Sequence, residues 1–135
     1  MQFKKYTYST VILERYLDLY GHMNNAVYME LFEDARWDMH TRSGFGYSRV
    51  RETGQGVIIL EANIKYRKEI RLRETVQIET QVLEYRKVIG RIQQTLLNEA
   101  GLEAALAEFR FALFDLKARK MIAASDQWLR SMGGV

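Results

Sequence analysis

The sequence predicts an α+β protein in which one strongly twisted, five-stranded antiparallel sheet curls around a single long helix. Three observations predict it. Residues 25–42 place apolar side chains at helical spacing on nearly every side. Four later segments alternate apolar and polar residues with the period of a strand. Short links join those segments, so consecutive strands pair antiparallel and bury one face on the helix.

Each element follows in order. In residues 6–16, Tyr6, Tyr8, Thr10 and Ile12 alternate against Thr7, Ser9, Val11 and Leu13, and such aromatic and β-branched residues favour strand. Asp18, Gly21, His22, Asn24 and Asn25 then mark a loop. Asn24 or Asn25 caps the helix that begins there, a side-chain oxygen accepting from an orphan N–H. Along residues 25–42, Tyr28, Leu31, Phe32, Ala35 and Met39 form a stripe that Val27, Met29 and Trp37 widen, so little is left to face water. The helix is about 27 Å long at 1.5 Å per residue, and Gly44 and Gly46 stop it.

Residues 57–66 alternate cleanly, with Ile58, Leu60, Ala62, Ile64 and Tyr66 against Glu61, Asn63, Lys65 and Arg67. Residues 75–85 repeat the pattern with Val76, Ile78, Thr80 and Val82, and residues 88–97 with Ile92, Gln94 and Leu96. Asn98-Glu99-Ala100-Gly101 reads as a turn. The Ala, Leu and Glu of residues 103–116 favour helix, yet Phe109, Phe111 and Leu113 alternate with Arg110, Ala112 and Phe114, which selects strand. Ser125 caps a short final helix running through Met132. The strand at 57–66 follows an isolated helix and is placed at a sheet edge. An apolar edge invites pairing, and self-pairing across a two-fold axis predicts a dimer.

A single domain over residues 1–135 is expected from the length. For 15.9 kDa, area scaling gives about 7,400 Å² of folded surface against about 23,000 Å² unfolded, enough burial for a real core. The absence of cysteine removes disulfides, thiol catalysis and thiolate-bound zinc, and two histidines argue against a multi-histidine metal site. No run is apolar enough to span a membrane and the N-terminus shows no secretory leader, so the cytoplasm is the expected compartment. A net charge of +3 does not argue for nucleic acid. The cations are clustered: Arg67, Lys68, Arg71 and Arg73 in one group, Arg86, Lys87 and Arg91 in another. Each cluster is either a solvated turn or a patch for a ligand carrying phosphates.

Chemistry concentrates in Asp18-Leu19-Tyr20-Gly21-His22-Met23-Asn24-Asn25-Ala26-Val27-Tyr28, immediately before the helix. Unpaired N–H groups and the positive end of the macrodipole point there and suit an anion or a developing oxyanion. Asp18 brings a carboxylate, His22 an imidazole, and Gly21 a backbone that can turn tightly. Taken singly, each residue also serves as an ordinary cap, turn or core residue, and spacing alone leaves the function open.

The motif Asp-x-x-Gly-His-x-Asn-Asn-x-x-Tyr, with Glu33-Asp34-Ala35-Arg36 following on the helix, resembles that of the hotdog-fold acyl-CoA thioesterases of the 4-hydroxybenzoyl-CoA thioesterase-like family. Ile64-Lys65-Tyr66 at a strand end and a late Phe114-Asp115 fall in the same order. The chain departs from that family's usual proline after the Tyr66 position, from a Gly-Asp pair a few residues later and from a proline opening the last helix. Glu69, Arg73-Glu74 and Ser125-Asp126 stand near those places.

The resemblance implies a hotdog fold, a homodimer or dimer of dimers with sites at the dimer interface, and hydrolysis of an acyl-CoA without metal or organic cofactor. It assigns Asp18 as nucleophile or general base and places the carbonyl-polarising amide near Asn25. His22 is then an orienting group or a donor to the thioester. Gly21, Asn24 and Tyr28 are expected to shape the binding loop, with the Tyr28 hydroxyl holding it. Lys65, Arg67 and Lys68, with Arg86 and Lys87, are expected at the rim that holds the phosphates of coenzyme A. An apolar tunnel along Tyr28, Phe32, Ile58 and Leu60 would take the acyl chain. Glu33 and Arg36 are expected as a buried pair, and Glu30 and Glu33 are the fallback acids. The rival readings are an acyl-thioester hydratase or dehydratase of the same fold and a non-catalytic acyl-CoA binder.

Overall fold

A computed structural model describes residues 1–135. The elements run β1 (Tyr6–Val11), α1 (Asn25–Arg42), α2 (Tyr47–Thr53), β2 (Gln55–Tyr66), β3 (Thr75–Arg86), β4 (Ile89–Leu97), β5 (Glu103–Asp115), β6 (Lys120–Ile122) and α3 (Asp126–Ser131). One antiparallel sheet contains every strand, in the order β1-β3-β4-β5-β2. β4 covers β5 as far as Phe111, and β6 pairs with β5 from Leu113 to Asp115. The accessible surface is 7961 Å², close to the value that mass scaling gives.

The sheet packs one face against α1. Ile78, Thr80 and Val82 on β3, Ile92, Gln94 and Leu96 on β4, and Phe109 and Phe111 on β5 are all buried. They meet Leu31, Phe32, Ala35 and Met39 of the helix. Burying a side chain of this size is worth about 1.5–3 kcal/mol. One polar cluster lies within that apolar layer. The Gln94 side-chain amide donates to the Phe32 carbonyl (3.0 Å) and the Thr80 hydroxyl (2.9 Å), and its carbonyl accepts from Arg36 Nη1 (2.9 Å). The Arg36 guanidinium lies 4.4 Å over the Phe109 ring. Every hydrogen-bonding atom of Gln94 is used, so it locks the roll of the helix on the sheet where apolar contacts alone would let it slide. On β4, Gly90 is required by packing: the Phe111 ring occupies the place a Cβ would take.

Several expectations are corrected. The first strand ends at Val11, where its partner β3 begins at Thr75, and a short 3₁₀ turn, Glu14–Tyr16, replaces its second half. α1 is not apolar all round, because Glu30, Glu33 and Asp34 face out beside the exposed Met29 and Trp37. Residues after Gly46 form α2, which the glycine signal concealed, and β6 adds a sixth strand. The alternation of β2 is broken by a bulge between Ile59 and Glu61 that turns Leu60 outward. β2 does lie at the sheet edge. Glu33 does not pair with Arg36, whose partner is Gln94, since Glu33 stays on the wet side of the helix.

Ser125 caps α3 as expected, accepting from the Trp128 N–H at 3.1 Å. Trp128 is buried and stacks on His40 near the end of α1, with centroids 5.0 Å apart. Its indole N–H donates to the Tyr85 hydroxyl (3.1 Å). His40 Nδ1 is buried without a partner. Burial, with the nearby Arg36 charge, pushes the pKa of this imidazole down to about 4. As pH falls below the ordinary histidine value near 6.5, the unfolded chain takes up a proton that the fold refuses, so stability is lost between there and about pH 4. His40→Phe keeps the stack on Trp128 and removes this titration. Urea unfolding at pH 7 and pH 4.5 should show the parent losing about 2–3 kcal/mol more than the variant between those conditions.

Candidate active site

The loop ahead of α1 is held by its own backbone. Leu17 and Met23 form an isolated antiparallel bridge, and the Asp18 N–H donates to the His22 carbonyl at 3.0 Å. Between them the chain reverses: Gly21 N–H donates to the Asp18 carbonyl (3.2 Å), and Gly21 sits at φ +85°, where a side chain would be strained. Tyr20 N–H donates to Asp18 Oδ1 (2.8 Å). One carboxylate oxygen is thereby immobilised and Oδ2 is left for chemistry. Met23 N–H donates to the Ile70 carbonyl (2.8 Å) and Asn24 N–H to the Tyr16 carbonyl (2.9 Å), which ties the loop to its neighbours on both sides.

Asn24 is the cap of α1. Its side-chain oxygen accepts from Ala26 N–H (2.9 Å) and its carbonyl from Val27 N–H (3.0 Å). The Asn25 amide remains as the unpaired N–H of the first turn, at the positive end of the helix dipole. On the other wall, Tyr66 ends β2 and donates its hydroxyl to the Asn25 carbonyl (3.0 Å). Its ring meets Tyr28 edge-on, 4.9 Å between centroids. Burial, then the charges and phenols around it (Tyr66, Glu74, Asp18, Glu69), push the Tyr28 pKa up to about 12, so it stays a neutral phenol.

Asp18, His22, Asn25, Tyr28 and Tyr66 line a cleft of about 460 Å³. Arg67, Lys68 and Glu69 form its charged rim. His22 stands between two acids, with Nδ1 4.0 Å from Asp18 Oδ2 and Nε2 3.8 Å from Glu69 Oε2. The Asp18 side chain is 18% exposed, sheltered by the loop yet reachable from the cleft. The arrangement can receive a carbonyl oxygen at the helix start and present a carboxylate oxygen beside it.

A family model of the thioesterase-like superfamily matches residues 13–131. The chain belongs to this superfamily. The thioesterase-like chain is 31% identical over 114 residues to the long-chain acyl-CoA thioesterase FadM of Escherichia coli, covering 83% of this chain and 85% of that protein. Among solved structures it is similar to the probable thioesterase YbaW of Escherichia coli, 27% identical, TM-score 0.83, with 94% of this chain and 98% of that one covered. The Staphylococcus aureus protein SAV2348, solved in complex with CoA, shares the fold at 18% identity and TM-score 0.88, over 97% of this chain and 83% of that one. Fold and family together make the protein an enzyme of the thioester hydrolase class.

In this thioesterase-like chain the structure brings Asp18, His22, Asn25, Tyr28, Arg67 and Lys68 to one cleft, while Gly21 and Asn24 shape the loop behind it. Lys65 is elsewhere. Strand alternation turns it to the outer face of the sheet, where it lines a polar cleft with Glu61, Asn63 and Arg110. Arg86 and Lys87 stand by the β3–β4 turn beside Glu84 and line none of the site. Arg67 is already engaged, its Nε 2.6 Å from Glu103. Of the four tunnel residues only Tyr28 lines the cleft; Phe32 is fully buried against Phe109. Glu30 and Glu33 are exposed and stand outside it.

Tyr66 and Glu69 were missed as site residues. Alternation with Lys65 was the signal for Tyr66, and the departure from the usual proline was the signal for Glu69. Arg73 takes the left-handed backbone, φ 64°, that glycine favours. The cap predicts a measurable effect. Asn24→Ala should destabilise the fold by about 1 kcal/mol in urea unfolding, while Asn24→Asp, which keeps an acceptor oxygen, should stay close to the parent.

Proposed function

We propose that the protein hydrolyses acyl-CoA thioesters in this cleft, with Asp18 supplying the oxygen chemistry. The observation that carries the reading is the pairing of a half-tethered carboxylate, Asp18, with the free Asn25 amide at the start of α1. The thioester carbonyl accepts from that amide, and charge gathers on its oxygen as the carbon becomes tetrahedral. One oriented donor of this kind is worth roughly 10²–10³ in rate. Asp18 Oδ2 either adds to the carbonyl carbon or takes a proton from a water that does, and base catalysis of that kind is worth about 10²–10⁴. The carbon–sulfur bond then breaks and CoA leaves as a thiolate that takes up a proton. Where Asp18 itself has added, water next opens the mixed anhydride to the free acid and the restored carboxylate, and no step calls for a metal or organic cofactor. His22, next to the free oxygen, orients the carboxylate or donates to the thioester.

Lys68, which makes no ion pair, and Arg67, once it exchanges Glu103 for phosphate, supply the rim for CoA. The protein acts as a homodimer or a dimer of dimers, with β2 as the joining edge. Support comes from its place at the end of the sheet and from the exposed Ile59 and Leu60 on it. No helix is long and apolar enough to cross a membrane, and the cytoplasm, where acyl-CoA is made and used, is the compartment this reading carries.

Thiol release followed with a disulfide dye over acyl-CoAs of graded length tests the activity. Hydration of crotonyl-CoA without thiol release would instead select the hydratase reading. Asp18→Asn should retain the fold and lose at least about 100-fold in kcat; near-parental turnover removes Asp18 from the mechanism. A single turnover in heavy-oxygen water separates the two routes. Label in Asp18 itself marks it as nucleophile, through a mixed anhydride that water opens at the Asp18 carbon. Where label enters only the product acid, rapid-quench detection of an acyl–Asp18 adduct marks the nucleophile and its absence the base.

A further inference from the structure

We infer that Tyr66 is a positioning residue for the reaction: its hydroxyl holds the first residue of α1 so that the Asn25 amide meets the thioester carbonyl. The inference rests on the site assignment above and extends it to a residue on a different element. The Tyr66 hydroxyl donates to the carbonyl of Asn25, the same residue whose N–H is free. This contact links residues 41 positions apart, and it is the one side-chain hydrogen bond from the sheet to the first turn of α1.

The platform beneath Tyr66 is rigid. Tyr66 is paired with Ala105 in the sheet register, and the next two amides, Arg67 and Lys68, both donate to the Ala104 carbonyl (2.8 and 3.1 Å). The half-exposed ring stands edge-on to the buried Tyr28 while its other side opens on the cleft. A helix N-terminus frays unless something holds it. Here the cap Asn24 satisfies later amides, and Tyr66 restrains the residue that must present the oxyanion donor. Donors contribute to catalysis in proportion to how well they are aimed beforehand, so a contact that aims the donor acts on kcat more than on ground-state binding.

Tyr66→Phe removes the hydroxyl and keeps the ring. The expected result is a fall in kcat of about tenfold, part of the roughly 10²–10³ that a whole donor is worth, with KM within about twofold and the urea midpoint nearly unchanged. The second readout is spectroscopic. In the Asp18→Asn background the bound thioester persists, and infrared difference spectra with carbonyl-labelled hexanoyl-CoA report how strongly its C=O is polarised. The stretch should lie below its value in water, and adding Tyr66→Phe should reduce that displacement by at least half.

Parental kcat in Tyr66→Phe, or a raised KM with kcat unchanged, overturns the inference, as does a carbonyl stretch insensitive to the hydroxyl. Rapid turnover by Asp18→Asn fails the site assignment itself, and the kinetic split in Tyr66→Phe then still decides whether Tyr66 aims a donor.

Discussion

The burial of one face of α1 against the sheet is the constraint on which the rest depends. Leu31, Phe32, Ala35 and Met39 supply the apolar contact, but apolar contact does not choose a unique roll or depth. Gln94 does, by spending its amide on the Phe32 carbonyl and Thr80 and its carbonyl on Arg36. Arg36 lies buried, and burial lowers its pKa to about 10, with Glu33 opposing that shift. It remains a cation at neutral pH, stabilised by Gln94 and the Phe109 face. The helix start is thereby delivered to a set place at the mouth of the sheet, and chemistry follows from that placement.

At that mouth the protein combines two things that are hard to hold together. A free amide at a helix start attracts anions, and a carboxylate nearby would fill it if allowed. Asp18 is kept from doing so because Oδ1 is bound to Tyr20 N–H inside a turn closed by Gly21. Asn24 caps the later amides and leaves that of Asn25 open. The cleft thus keeps an acid and a donor side by side, each restrained by local backbone bonds. His22, between Asp18 and Glu69, adds a group whose two nitrogens face two acids. The rim beyond is cationic at Lys68, while Arg67 is balanced by Glu103.

Much of this was legible beforehand, for identifiable reasons. The alternation of Val76, Ile78, Thr80 and Val82 and of Ile92, Gln94 and Leu96 matches the buried faces of β3 and β4, because both strands have neighbours on both edges and one wet face. The caps at Asn24 and Ser125 were readable because capping is a local hydrogen bond. Misreadings arose where long-range contact overrode pattern. Ile12 continues the alternation of β1 and is fully buried, but the regular ladder stops at Val11 because the opposing chain turns at Arg73 (φ 64°), whose N–H and the Glu74 carbonyl bond Ile12 at that turn. Trp37 fits the apolar stripe of α1 yet is exposed. Lys65 shares a cluster with Arg67 and Lys68 and still faces the opposite side of the sheet.

By itself the sequence determined the α+β class, the central helix, the order of the principal strands and the loop in which Asp18, His22 and Asn25 lie. Those depend on periodicity, capping and turn chemistry, all of which act over a few residues. Only the tertiary structure decided that Tyr66 reaches Asn25, that Glu69 faces His22, that Gln94 and not Glu33 receives Arg36, and that Lys65 stands away from the site. Each of those joins residues far apart in the chain, or turns on which face a strand presents. Their partners are chosen by how sheet and helix pack, and no local pattern records that choice.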